Sequence, residues 1–290
     1  MIMRNAEYDR FGPWILEITD LDPLPPLFTE HAAKVDKTLM SIKIPRPIER
    51  RTASPGMNLY DYVLNMYEDN FDIFRREDDS VIKDNFKYTD IFCIKHSVVL
   101  LNGTLTLFTK EYTYKFNYNT VSNDVIKRIV GIIRERYAKE KKNLNLSEAV
   151  PAENELNFYF TNLAENEKRE NPENLLFAYQ PRTRLTSIGT SGIKKFFNLI
   201  IKKQLFESIH FCDGRELQTT GKGRDFKYIA QTDYGKEDCY IPVEKIGRVE
   251  IIANKSNSSL MNCRIEAGDE IFTTLMTAAN QTLSQYSKFN

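Results

Sequence analysis

The chain has 290 residues, of which 41% are hydrophobic, 12% aromatic and 28% charged. It can therefore bury a real core, and at roughly 100–200 residues per domain it suggests two domains rather than a disordered chain. Its 40 Lys and Arg balance 40 Asp and Glu, in both halves alike, which excludes a basic body built to capture nucleic acid and an acidic tail.

Residues 1–9 lack the apolar stretch of a secretion signal. Seven of the 11 prolines, Pro13, Pro23, Pro25, Pro26, Pro45, Pro47 and Pro55, fall before residue 56. Proline fixes φ and removes a backbone donor, so residues 1–56 read as an extended arm, without a long helix or a central strand. The arm also carries Phe11, Trp14, Ile15, Leu16, Leu21, Leu24, Leu27 and Phe28. Such apolar content predicts that it docks on a folded body, with Trp14 buried.

Residues 57–140 read as a first domain. Residues 62–67 and 71–74 are strands around a turn at Glu68-Asp69-Asn70, and residues 75–84 form a charged loop. Residues 86–94 make a further strand. Asn102-Gly103 lies between apolar runs, which is the strongest short hairpin signal because both residues accept positive φ. Tyr112, Tyr114, Phe116 and Tyr118 alternate as in a strand. The period then changes. Ser122 can cap a helix, and Val125, Ile126, Ile129, Val130, Ile132, Ile133 and Tyr137 form its apolar stripe.

Residues 141–173 are polar but hold Leu156, Phe158, Tyr159, Phe160 and Leu163, and predict a helical connector. Residues 174–290 read as a second domain. It opens with a strand at residues 175–179 and continues with a helix over residues 191–205. A hairpin over residues 208–219 follows, turning at Asp213-Gly214. Strands are predicted at 227–232, 238–242, 246–252 and 260–265. A closing helix over 269–286 has the stripe Phe272, Leu275, Met276, Ala279 and Leu283.

The halves share one order of elements, hairpin, meander and amphipathic helix, which is the signature of an internal repeat. Tyr88, Ile91 and Ile94 keep the spacing of Val243, Ile246 and Val249. A bent antiparallel sheet needs its interior filled, and an amphipathic helix can plug one open end. Through residues 60–74, 88–94, 105–118 and the helix from Ser122, the chain resembles the bacterial pleckstrin-homology-like (PH-like, GRAM-like) superfold. A second copy runs from Phe206 through Ile252 to the final helix. More narrowly the chain resembles an uncharacterised group of bacterial proteins with two such domains, some of which carry membrane segments. The resemblance implies an α+β, mostly β fold: two PH-like half-open barrels, each closed by a C-terminal helix and joined by the connector. It also implies binding or scaffolding rather than catalysis.

The chemistry-bearing residues agree with a protein that is not an enzyme. His31, His96 and His210 have no partner at metal-ligand spacing. Cys93, Cys212, Cys239 and Cys263 include no C-x-x-C pair and read as reduced thiols. His210 and Cys212 share a strand face, but no third group orients them as a thiol-base pair. Gly189-Thr190-Ser191-Gly192-Ile193-Lys194-Lys195 fails the spacing of a phosphate loop. We therefore expect no catalytic, cofactor-binding or metal-binding residues. One basic segment stands out: Lys194, Lys195, Phe196, Phe197, Lys202 and Lys203, with Arg182 and Arg184 nearby. A basic helix with an apolar face can lie on an anionic membrane surface. It can equally dock on its own domain. The reading that follows is a cytoplasmic protein with no transmembrane segment that binds a protein partner. A peripheral membrane module recognising anionic lipid headgroups is the alternative.

Overall fold

The computed structural model describes residues 6–32, 37–185, 203–222, 235–255 and 257–290. The fold is mostly β. The chain forms two compact units. The first comprises Met1–Ile91, Leu100–Leu107 and Thr113–Tyr137, and the second Phe92–Val99, Phe108–Tyr112 and Ala138–Asn290.

In the first unit a short helix α1 (Ala6–Arg10) precedes β1 (Leu16–Glu17), β2 (Met40–Pro45), β3 (Tyr60–Met66), β4 (Asn70–Glu77) and β5 (Ser80–Lys87). The five strands pair antiparallel in that order. The arm thus supplies a full internal strand, β2, against expectation. Its Met40-Ser41-Ile42-Lys43-Ile44 run lies between prolines, and only Pro45, at its end, lacks a donor for the ladder. Residues 75–84 are not a loop. They are the β4–β5 hairpin, turning at Asp78-Asp79 with Asp78 at φ 52°. Aspartate tolerates the left-handed region, and the charges belong to a solvated hairpin end.

Apolar residues of the arm are buried in the first unit. Phe11 and Phe28 are buried in one cluster with Leu59, Tyr60, Val63 and Phe74. Ile15 donates its N–H to the Ser122 hydroxyl at 2.9 Å. Trp14 departs from the expectation, being 42% exposed. Its indole lies over Gly12, where a Cβ would meet ring carbons at 2.3 Å. The ring covers the arm's own backbone while Phe11 and Ile15 take the interior. The sole tryptophan should therefore be quenched readily by acrylamide in the native protein. Its emission should shift less on unfolding than that of a buried indole. A native spectrum that is deeply blue and shielded from quencher would overturn this placement.

A 3-10 turn at Tyr88–Asp90 leads to β6 (Ile91–Val99), β7 (Asn102–Thr109) and β8 (Thr113–Asn119). The turn before β7 sits at Leu100-Leu101, with Leu100 at φ 54°, and not at Asn102-Gly103. Gly103 is needed for a different reason. The Tyr118 ring lies against it, and a Cβ there would come within 2.1 Å of the ring. Helix α2 (Asn123–Tyr137) buries Ile126, Ile129, Val130, Ile133 and Tyr137 of the predicted stripe, while Val125 and Ile132 are only half-buried.

In the second unit residues 138–157 are largely irregular and lead into α3 (Phe158–Glu170). The strands β9 (Leu175–Gln180), β10 (Thr183–Leu185), β11 (Lys203–Leu205), β12 (Ser208–Cys212), β13 (Glu216–Gly221) and β14 (Gly235–Pro242) follow. They precede a 3-10 turn at Val243–Lys245, then β15 (Ile246–Ala253), β16 (Leu260–Ala267) and β17 (Glu270–Thr277). Strands β9, β12, β13 and β14 pair antiparallel in that order, and β14 also pairs with β6. Strands β15, β16 and β17 form a second sheet, and β10 pairs with β11. Asp213 Oδ1 accepts the N–H groups of Arg215 and Glu216, which fixes the predicted Asp213-Gly214 turn. The predicted strand at 227–232 and residues 191–202 of the predicted helix lie outside the described residues.

The closing helix over 269–286 is absent. Residues 270–277 are strand β17, and only residues 281–289 form a 3-10 helix. Gly268-Asp269 makes a two-residue turn, with Gly268 at φ 59° and Ala267 opposite Glu270. Phe272 and Met276 share a face in a helix and in a strand alike, so their spacing did not distinguish the two.

The expected pair of separate barrels is not met, because β6 of the first half pairs with β14 of the second and Phe92–Val99 belongs to the second unit. The order of elements is similar in the two halves: four antiparallel strands (β2–β5; β9, β12–β14, with β10 and β11 inserted after β9) are followed by a one-turn 3-10 helix and three more strands. Each half then ends in a helical segment, α2 or Gln281–Phe289. Tyr88 and Val243 open the two 3-10 turns, and Ile91 and Ile246 open the strands after them.

Candidate functional site

Two surfaces of the second unit carry chemistry that its folding does not consume. The first is built at the start of α3. Asn157 caps the helix, its Oδ1 accepting the Phe160 N–H at 3.1 Å while its Nδ2 donates to Glu207 Oε1 at 2.9 Å. Phe160 turns inward onto Ile209 and Phe211. Successive helix residues point about 100° apart, so anchoring Phe160 turns Phe158 outward, where it is 80% exposed. Tyr159 and Val150 are also exposed.

The chain before α3 is tied to β9. The Ala149 N–H meets the Leu176 carbonyl, and Glu155 Oε2 accepts the Ala152 N–H and the Tyr179 hydroxyl. The Tyr179 hydrogen bond, with that of Ala152, holds the Glu155 carboxyl below its usual range. Burial and the same carboxylate push the Tyr179 phenol up to about 12. Between this segment and α3 lies a cleft of about 440 Å³ floored by Pro151, Leu156, Ala164 and Leu176. The charged residues that line it are Glu153 and Glu165. The sequence marked Phe158 and Tyr159 as apolar. Only the docking of Phe160 tells which face they occupy.

The second surface is a polar cavity of about 260 Å³ with Lys95, Glu207, Ser208, Thr219, Lys222 and Glu237 in its wall. Behind it lies His210, fully buried, with Ser208 Oγ 2.9 Å from Nε2. The Thr219 and Tyr286 hydroxyls lie 3.1 and 2.8 Å from Nδ1. Burial lowers the imidazole to about 3. His210 is thus a neutral structural hub. Cys212 accepts the Gly214 N–H, and burial pushes its thiol up to about 12. That suits neither partner of a thiol-base pair. Cys93 and Cys239 approach within 3.5 Å as free thiols.

The predicted basic surface is met only at its edges. Arg182 donates to Gln204 Oε1 and lies over the Phe206 ring, while Arg184 is exposed on β10. Lys194, Lys195, Phe196, Phe197 and Lys202 lie outside the described residues, and Lys203 is placed only as backbone in β11. Among the described residues no cluster of three metal-ligating side chains occurs, and no helix is long and apolar enough to cross a membrane. No family model, curated protein or solved structure matches the chain.

Proposed function

We propose that the chain is a non-enzymatic binding or scaffolding protein of two PH-like domains, and that it takes a protein partner in the cleft beside α3. The repeated order of four strands, a 3-10 turn, three strands and a helical segment supports the PH-like reading. Exposed Phe158, set beside an apolar cleft that has glutamates as its charged lining, carries the functional one. Large aromatic side chains held rigidly at a surface are the usual anchors of protein interfaces. The glutamates select the partner's chemistry: an apolar segment flanked by Lys or Arg.

A fluorescein-labelled amphipathic peptide of leucine and lysine tests this by anisotropy. Wild type should bind it. Phe158→Ser should weaken binding at least tenfold, and the Glu153→Gln, Glu165→Gln pair several-fold, with Tm unchanged. Binding that ignores these substitutions, or no binding, would overturn the reading. Salt-sensitive binding to phosphatidylserine vesicles that Phe158→Ser leaves intact would replace it with the anionic-lipid alternative.

A further inference from the structure

We infer that Cys93 and Cys239 of the second unit are a peroxide-responsive thiol pair: a small hydroperoxide entering the polar cavity oxidises Cys239, and Cys93 closes a reversible disulfide on it. This modification site is independent of the cleft beside α3.

The strand ladder places the two thiols. Between β14 and β6, Cys239 lies opposite Lys95 and Tyr240 opposite Ile94. Cys93 is two residues from Lys95, so it shares the sheet face of Lys95 and Cys239 and is the diagonal neighbour of Cys239. Thr219 lies opposite Cys239 on β13, and Glu237 is two residues along β14, so their side chains belong to the same face. Lys95, Thr219, Glu237 and Cys239 all line the cavity, whereas Cys93 is wholly buried. The cavity therefore leads to one thiol, and the second stands behind it with 3.5 Å between the sulfurs. A disulfide holds its sulfurs about 2 Å apart, and small rotations about the Cα–Cβ bonds supply that closure.

Burial sets the order of events. It pushes the Cys93 thiol well up, so Cys93 is not the first to react. The Cys239 sulfur attacks one peroxide oxygen. The O–O bond breaks, and the released hydroxide takes the thiol proton and leaves as water. Cys239 is then a sulfenic acid. The Cys93 sulfur attacks the Cys239 sulfur and the S–O bond breaks. The departing hydroxide carries off the Cys93 proton as a second water. The two thiols have lost two electrons and the peroxide has gained them. A thiol already in contact captures the sulfenic acid before a second oxidant arrives, which keeps the change reversible. The cavity is about 260 Å³, which admits a hydroperoxide and shuts out a protein oxidant.

Treating the full chain with a few equivalents of hydrogen peroxide, then alkylating and digesting it, tests the pair. Mass spectrometry should find a Cys93–Cys239 link lacking two hydrogens, which dithiothreitol reverses. The chain oxidised in urea should give mixed pairings, because no fold then selects the partner. Cys93→Ala should leave Cys239 as a sulfenic acid that dimedone traps about tenfold more than in wild type. Cys239→Ser should slow the loss of the Cys93 thiol about tenfold or more, since a wholly buried thiol is reached only when the structure opens. The wild-type link is read without either variant, so it decides the matter even where a substitution prevents folding. Absence of that link in the oxidised native protein would overturn the inference. So would a link through Cys212 or Cys263, or equal dimedone labelling of Cys239 in wild type and in folded Cys93→Ala.

Discussion

Truncating Phe177 to alanine is expected to cost the second unit about 3–5 kcal/mol, the usual range for deleting a fully buried phenylalanine. Phe177 is wholly buried on β9 and meets three rings: Tyr286 and Phe289 at 5.3 and 5.4 Å, and His210 at 6.3 Å. Two of these rings belong to the terminal 3-10 helix, so the substitution removes one of the contacts that hold residues 281–289 against the sheet. Rigid neighbours cannot collapse into the cavity, which keeps the cost high. Urea unfolding followed by circular dichroism measures the loss. Hydrogen exchange at the β9 and β12 amides locates it in the second unit. Phe177→Leu should recover more than half of the deficit. A loss below about 1 kcal/mol would mean that Phe177 does not organise this core.

Acidification should weaken the same unit through His210. Burial lowers its imidazole from 6.5 to about 3 in the folded state. Above pH 6.5 both folded and unfolded forms are neutral, and stability is at its full value. As pH falls below 6.5 the unfolded chain takes up a proton that the folded chain refuses. Stability should then drop by about 1.4 kcal/mol per pH unit, reaching as much as ~5 kcal/mol near pH 3. Protonation would also oblige both ring nitrogens to donate, and so force the surrounding Ser208, Thr219 and Tyr286 hydroxyls to reorient. Unfolding free energies measured from pH 7.5 to pH 4.5 should fall more steeply in wild type than in His210→Gln, which has no titrating group. Parallel pH profiles for the two proteins would show that His210 is not held neutral by the fold.

These two predictions concern stability, whereas the cleft concerns recognition, and their residues overlap little. Asn157 caps α3, which carries Phe158 and Tyr159, and also donates to Glu207 Oε1. Nothing in the architecture alone dictates a ligand, since one fold can host many unrelated functions.

What the sequence determined by itself is local. The stripe of α2 and the alternation of β8 were legible because the period of a helix or strand is a property of a few adjacent residues. The same holds for the Asp213-Gly214 hairpin, whose turn chemistry lies in the turn itself. The spacing of Tyr88, Ile91 and Ile94, matched by Val243, Ile246 and Val249, falls in each case on a 3-10 turn and the strand after it. Tertiary structure decided the rest. Residues 270–277 became a strand because β16 offered them a ladder, although Phe272 and Met276 suit either period. Asn102-Gly103 was drawn into β7 because Tyr118 needed the space above Gly103. The exposure of Phe158 follows from Phe160 docking on β12, and the cavity gathers Lys95, Glu207, Glu237 and Thr273 from four distant stretches of chain. Such choices depend on which segments meet, and contacts between residues far apart in sequence leave no periodic trace in either one.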